Sequence, residues 1–422
     1  MQHTSLRTFS SPHARTGARL LLVALLGLLG VLAGCGSRAS PGGGATHSRL
    51  TPPPARPTSP VALFRLQMID ATTGWAIARG GSTLLRTTSG PLHWQEVTPP
   101  YDTTALTIRA SAFFDSQHAW VTVAPLPGVG APVRPFAIWR TTDGGQHWQQ
   151  SLVRSPGYQI DDLFFLSPRL GWVAVQRIMG GDKTNAITGL DLFRTQDGGA
   201  TWTLVSTTST SPYVGPGVQT VELEGAGLVF TSPAQGWLVG LVGILRRDGR
   251  TNPLRIYRTQ DGGVTWHPQE LPLTSPQVYT VGLLPPTFFH RGVEGIMPAF
   301  VSASSGSTLA LYTTGDGGAS WSVASPAAQS SGPLPMHIDF VERQHGWISG
   351  DRLYRTQDGG QHWMAFPLPE EARSQGFLDL DFVSETLGWA ISIVSQTKQV
   401  LLLQTTDGGQ TWRVVTPTVA AL

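Results

Sequence analysis

The sequence has a single cysteine in 422 residues, which excludes a disulfide bond within one copy of the chain. Charged residues are scarce, at 13%, and the formal net charge is +2. Arg7, Arg15 and Arg19 are the only charges before Cys35, and removing that segment leaves −1, so a nucleic-acid partner is disfavoured. The abundant residues are instead 49 glycines, 32 prolines and 14 tryptophans, a composition that favours a turn-rich all-β chain.

The first 35 residues read as a targeting segment. The apolar run Leu20–Gly34 follows three arginines and suits a signal-peptide core, being shorter than the roughly 20 residues of a membrane span. It ends in Leu32-Ala33-Gly34-Cys35, which resembles the bacterial lipobox. We predict a signal peptide at residues 1–34, lipidation of Cys35, and a location on the extracytoplasmic face of the bacterial cell membrane. The alternatives are an ordinary secretory signal and an uncleaved anchor. Residues 35–60, rich in Pro, Gly and Ser, are predicted to be a tether.

Residues 61–422 contain two repeated signals. The first is a segment such as "RTQDGGATW", which contains Asp-Gly-Gly in six copies and Ser89-Gly90-Pro91 in the first. The seven copies are 42 to 64 residues apart, in or near the range of propeller blades. They end at Trp94, Trp148, Trp202, Trp266, Trp321, Trp363 and Trp412.

The second signal is an apolar residue, usually Phe, seven positions before a tryptophan that follows Gly or Ala. The six tryptophans of this signal are Trp75, Trp120, Trp172, Trp237, Trp347 and Trp389. In the fifth repeat, seven positions from Phe289 leads to Ile296, so Gly-Ile stands there in place of Gly-Trp. Only Trp139 falls outside both signals.

Each repeat divides into four short apolar strands, for example "DDLFFLS", "GWVAVQ", "LDLFRT" and "TWTLVS" in the third. A single four-stranded sheet cannot bury both faces, whereas sheets packed radially can. We therefore predict a seven-bladed β-propeller of four-stranded antiparallel blades. The approximate blades are 61–99, 107–153, 159–206, 219–271, 279–325, 335–367 and 376–417.

Asp-Gly-Gly lies between the third and fourth strands, where a tight turn needs positive φ and an Asp side chain can accept backbone hydrogen bonds. The aspartates belong to different blades and cannot converge on one ligand. We interpret them as structural: Asp143, Asp197, Asp261, Asp316, Asp358 and Asp407.

The boxes resemble the Asp-box repeat of bacterial neuraminidases. The combined pattern is similar to the photosystem II stability and assembly factor family of seven-bladed propellers, over roughly residues 60–417. This resemblance implies a non-catalytic, membrane-associated protein that binds protein partners during assembly of a complex. The first blade, without Asp-Gly-Gly, and the fifth, without Gly-Trp, depart from the family pattern.

The alternative is a carbohydrate-active propeller, either hydrolytic or lectin-like. Phe64–Gln67, "FRLQ", only partly resembles the arginine-bearing first strand of sialidases, and no tyrosine has a recognisable catalytic context. Asp161, Asp162, Asp379 and Asp381 are interpreted as structural hydrogen-bond acceptors. A cluster of acidic and aromatic side chains at the central mouth of one face would favour the alternative.

No metal site or cofactor is predicted, since His147 and His362 belong to different blades and no glycine-rich loop precedes a helix. The turns within the first and second strand pairs are short, whereas the loops at the other end of each blade are long and irregular. We expect a partner to bind at that second end, because recognition tends to reside in loops that are not needed to hold the fold. The candidate residues there for binding an acidic protein segment or an anionic glycan are Arg246, Arg247, Arg250 and Arg255. The alternative is that this cluster is a solvated loop with no partner.

Overall fold

The computed structural model describes residues 58–125, 136–155, 159–178, 187–209, 219–220, 224–244, 252–274, 278–303, 306–330, 337–350, 352–373, 376–394 and 396–420. The predicted signal peptide and Cys35 lie outside them. The described chain is all-β, with 32 strands and three short 3-10 helices at Arg79–Gly81, His290–Gly292 and Glu370–Ala372. In this part of the chain no helix is long and apolar enough to cross a membrane.

Most strands group into units of antiparallel strands, which we call a to d in chain order. The first three units have the following strands: unit 1, β2 (Leu63–Met68), β3 (Gly74–Ala78), β4 (Thr83–Thr87) and β5 (His93–Glu96); unit 2, β6 (Leu106–Phe113), β7 (Ala119–Pro125), β8 (Phe136–Thr141) and β9 (Gln149–Val153); unit 3, β10 (Gln159–Phe165), β11 (Gly171–Ile178), β12 (Ile187–Thr195) and β13 (Thr203–Ser209), with the short β14 (Gln219–Thr220) parallel to β13.

The later units follow the same order, with strand a of unit 5 in two pieces. Their strands are: unit 4, β15 (Glu224–Phe230), β16 (Gly236–Gly243), β17 (Arg255–Thr259) and β18 (His267–Glu270); unit 5, β19 (Val278–Leu283) with β20 (Thr287–Phe289), β21 (Glu294–Ala303), β22 (Gly306–Thr314) and β23 (Ser322–Ser330); unit 6, β24 (His337–Phe340), β25 (Gly346–Ser349), β26 (Leu353–Thr356) and β27 (Met364–Phe366); unit 7, β28 (Phe377–Phe382), β29 (Gly388–Ile393), β30 (Val400–Thr405) and β31 (Arg413–Val415).

The two sequence signals meet between units. The phenylalanine of one unit stacks on the Gly-Trp tryptophan of the unit before it: Phe230 lies on Trp172 with ring centroids 3.6 Å apart and planes 3° apart. The box tryptophan of the same unit, Trp266, meets Phe230 edge-on. These rings are buried, so each unit completes its core with its neighbour.

The glycine before the tryptophan has a packing reason. In unit 3 a Cβ atom on Gly171 would lie 2.6 Å from the Phe165 ring, closer than carbon atoms approach. In unit 5 the residue paired with the corresponding Gly295 is Phe288, and Phe288 contacts Trp237. The prediction that Phe289 fills this position was therefore wrong by one residue. The turn is longer there because it holds the 3-10 helix His290–Gly292.

Units 4 and 5 share one nine-stranded sheet. Strand β16 pairs with β17 over Gly236–Leu238, but its far end, Leu241–Gly243, pairs with β19 of unit 5. The sheet is therefore continuous between the two units at this end.

Two further strands join the chain ends. β32 (Thr418–Ala420) follows unit 7 and pairs in parallel with β5 of unit 1, and β1 (Thr58–Pro60) pairs antiparallel with β32. β1 falls in the last three residues of the segment predicted as tether, so the fold begins before residue 61. The last unit is thereby fixed against the first.

Candidate functional site

The Asp-box carboxylates bond within their own turns. In unit 3, Asp197 accepts hydrogen bonds from the side chain of Thr195 and from the backbone and side chain of Thr201, at 2.6 to 2.9 Å. Burial raises the pKa of Asp197, but these bonds outweigh it and hold the pKa at about 2. Both glycines of each of the six boxes have positive φ, as predicted for the turn.

Residues of both repeated signals reach the next unit. Trp172 donates from Nε1 to the carbonyl of Gly262, and Trp120 does the same to Gly198, at 2.9 and 2.8 Å. Arg140 donates from Nη1 to the carbonyl of Asp197 at 3.0 Å. These repeated residues therefore hold one unit's turn against the previous unit.

Aspartates on the a strands make a second set of bonds between units. Asp381 and Asp379 of unit 7 accept the backbone N–H groups of Met68 and Leu66 of unit 1, at 2.7 and 2.6 Å. Asp162 of unit 3 accepts the N–H of Leu228 in unit 4 at 2.8 Å. These three aspartates act as the structural acceptors interpreted from the sequence, while the side chain of Asp161 lies outside the described set.

The a strands also bring polar side chains to one level. The a strands of units 2 and 3, 3 and 4, 6 and 7, and 7 and 1 contact one another, so they form the inner side of the assembly. Four a strands have a polar side chain on the residue that pairs with the third position after the glycine of the Gly-Trp motif. These residues are Arg65, Asp162, His337 and Asp379. They therefore occupy equivalent positions on four a strands, and we call them the inner quartet.

The inner quartet is electrostatically connected. His337 Nδ1 lies 3.5 Å from Asp379 Oδ1. Burial lowers the pKa of Arg65, while Asp379 and Asp162 oppose that shift. Burial lowers the pKa of His337 too, against the attraction of Asp379, so this imidazole is neutral at pH 7. Sequence reasoning had considered Arg65 and the aspartates separately and missed His337, because their convergence depends on the register of four distant strands.

Of the four candidate partner-binding arginines, Arg255 alone is described. Its Nη2 lies 3.0 Å from Glu270 Oε1, so it is paired across β17 and β18. Arg246, Arg247 and Arg250 lie outside the described residues. Ile244 and Asn252 flank them: Asn252 N donates to the carbonyl of Ile244, and Ile244 N donates to the carbonyl of Tyr279 on strand a of unit 5.

One group of three could supply metal ligands among the described residues. Glu342, His345 and Glu385 lie in the a–b turns of units 6 and 7, with both carboxylates exposed. His345 contacts Glu342 through Nδ1 and lies 3.5 Å from Glu385 through Nε2. Both imidazole nitrogens thus already face carboxylates, and the group is an ion-pair cluster between two turns.

The similarity of the repeats to a known family is confirmed over part of the chain. Residues 330–419 match the family of the photosynthesis system II assembly factor YCF48. No curated protein sequence matches the chain.

Solved structures give the same fold. The chain is similar to YCF48 bound to D1 peptide, with 18% identity, coverage of 83% of this chain and 93% of the other, and a TM-score of 0.50. YCF48 from Cyanidioschyzon merolae is 15% identical over 84% of this chain and 97% of its own, also with a TM-score of 0.50. The GH74 xyloglucanase from Xanthomonas campestris is 12% identical over 86% and 54%, with a TM-score of 0.55. At these identities the likeness establishes a β-propeller fold and no activity.

Proposed function

We propose that the chain is a non-enzymatic, lipid-anchored assembly scaffold, a seven-bladed propeller that binds a protein partner outside the cytoplasmic membrane. The observation that carries this proposal is the match of residues 330–419 to the YCF48 family. A YCF48 has been solved with a D1 peptide, which favours a protein partner here too. Units 1 to 7 supply the blades, and Cys35 supplies the anchor.

The geometry favours the end of the blades with the b–c and d–a loops as the partner face. At the a–b and c–d end, the box aspartates and arginines and the Gly-Trp tryptophans bond to turns of their own or the next unit, so that end is committed to the fold. Of the two flanks of the Arg246–Arg250 segment, Ile244 is bonded to the backbone of an a strand and Asn252 is bonded to Ile244. That segment has three arginines for an acidic partner.

The test is capture of partners from detergent-solubilised membranes by the full chain. Arg247→Glu with Arg250→Glu should lose a partner that the native protein captures. Arg169→Glu, an exposed change in an a–b turn, should keep it. Capture lost with Arg169→Glu and kept with the double variant would show that the opposite face binds.

A further inference from the structure

The guanidinium of Arg65 has unused hydrogen-bonding capacity. Within the described part of the chain, no side-chain hydrogen bond and no ion pair shorter than 4.0 Å involves it, although Asp379 and Asp162 are close enough to affect its pKa. An arginine presents five N–H donors in a fixed plane. A partly buried arginine therefore offers donors at the inner side of the ring.

The neighbouring quartet members offer acceptors. Asp162 accepts the N–H groups of Leu163 and Leu228, and Asp379 accepts those of Leu66 and Leu380. A carboxylate has about four lone-pair sites, so Asp379 keeps acceptor capacity beyond these two bonds. The neutral His337 adds one nitrogen that donates and one that accepts.

The charges at this level select the ligand. Two carboxylates against one guanidinium disfavour an anion, because unit charges in a poorly solvated site interact strongly. A metal ion or an ammonium group has no acceptor for the N–H donors of Arg65. A hydroxyl group both donates and accepts without carrying charge. A neutral polyol therefore matches the inner quartet better than an acid, an amine or a metal ion does.

An exposed aromatic side chain stands beside this level. Phe64 lies in the β-bulge directly before Arg65 and is 43% exposed. Bulges redirect side chains and occur often near binding sites. An exposed ring face can cover the C–H face of a sugar ring, as aromatic groups do in small-molecule sites.

We propose that the inner ends of the a strands form a binding site for a neutral saccharide, with the inner quartet holding its hydroxyls and Phe64 stacking on a ring. Unit 2 follows the unit of Arg65 and precedes that of Asp162, and the small Ala110 occupies the equivalent position on its a strand. The site does not depend on the protein partner proposed above.

The test measures binding of cellotetraose, maltotetraose and chitotetraose to the full chain by saturation-transfer NMR and calorimetry, with tri-galacturonate as the acidic probe. At least one neutral probe should bind below about 5 mM, and more tightly than tri-galacturonate. Arg65→Met and Phe64→Ala should each weaken that binding about tenfold or more, and Arg169→Met should not change it.

Phe64→Ala keeps the test valid if Arg65→Met fails to fold, because Phe64 is 43% exposed and is not among the buried core residues. Three results would overturn the proposal. They are the absence of binding by all three neutral probes, binding of the acidic probe alone, and neutral-probe binding that survives Phe64→Ala unchanged.

Discussion

Trp172→Ala tests the contact that joins consecutive units. Trp172 is fully buried, stacks on Phe230 of the next unit, and donates from Nε1 to the carbonyl of Gly262 at 2.9 Å. Burial of a tryptophan removes about 150–250 Å² from water, worth about 4–6 kcal/mol at 25 cal/mol per Å². Core truncations of this size cost about 3–5 kcal/mol, and the lost hydrogen bond adds about 1 kcal/mol. We expect the free energy of unfolding to fall by about 4–6 kcal/mol.

The assay is thermal and urea unfolding of the purified variant. For a folded part of roughly 360 residues, this loss lowers Tm by about 5–8 °C. Trp172→Phe keeps an aromatic ring on Phe230 and loses the hydrogen bond, so its loss should be about 1–2 kcal/mol. Trp139→Ala is the matched control, since Trp139 is only partly buried and its Nε1 has no hydrogen-bond partner. An equal loss for Trp139→Ala and Trp172→Ala would refute the reasoning.

Three other changes have defined outcomes. Gly171→Ala should lower Tm, because the added Cβ meets the Phe165 ring at 2.6 Å, whereas Gly243→Ala, with open space around it, should be nearly neutral. Acid should destabilise the fold, because hydrogen bonds hold the pKa of four Asp-box carboxyls at about 2, below the value in the unfolded chain. The stability that these carboxylates contribute is therefore complete above about pH 4 and is lost as the pH falls toward 2. Acid unfolding measures this loss. Cys35→Ala should abolish acylation and release or mislocalise the precursor, with the Tm of the propeller unchanged. Mass spectrometry of the native protein checks this prediction, and an unmodified N-terminus at another residue would contradict the lipobox.

The sequence by itself determined the repeating unit. The repeat is defined by the strand length, the glycine pair at each turn and the seven-residue separation of Phe and Trp. These features depend on local backbone geometry and on pairing within one hairpin. The third repeat illustrates this, since the segments expected to be strands coincide with the cores of β10 to β13. One local exception, Phe288 in place of Phe289, arose because a 3-10 helix lengthened the turn without changing the residue types.

Only the tertiary structure decided what lies between units. It showed that a phenylalanine stacks on the tryptophan of the preceding unit, that β32 and β1 join the chain ends, and that units 4 and 5 share a sheet. It also brought Arg65 into electrostatic contact with Asp379, 314 positions away in the chain. Periodicity carries no information about such pairs, because it records which face of a strand is buried and not which distant strand covers it. The inner quartet therefore became visible only when the registers of four a strands were aligned.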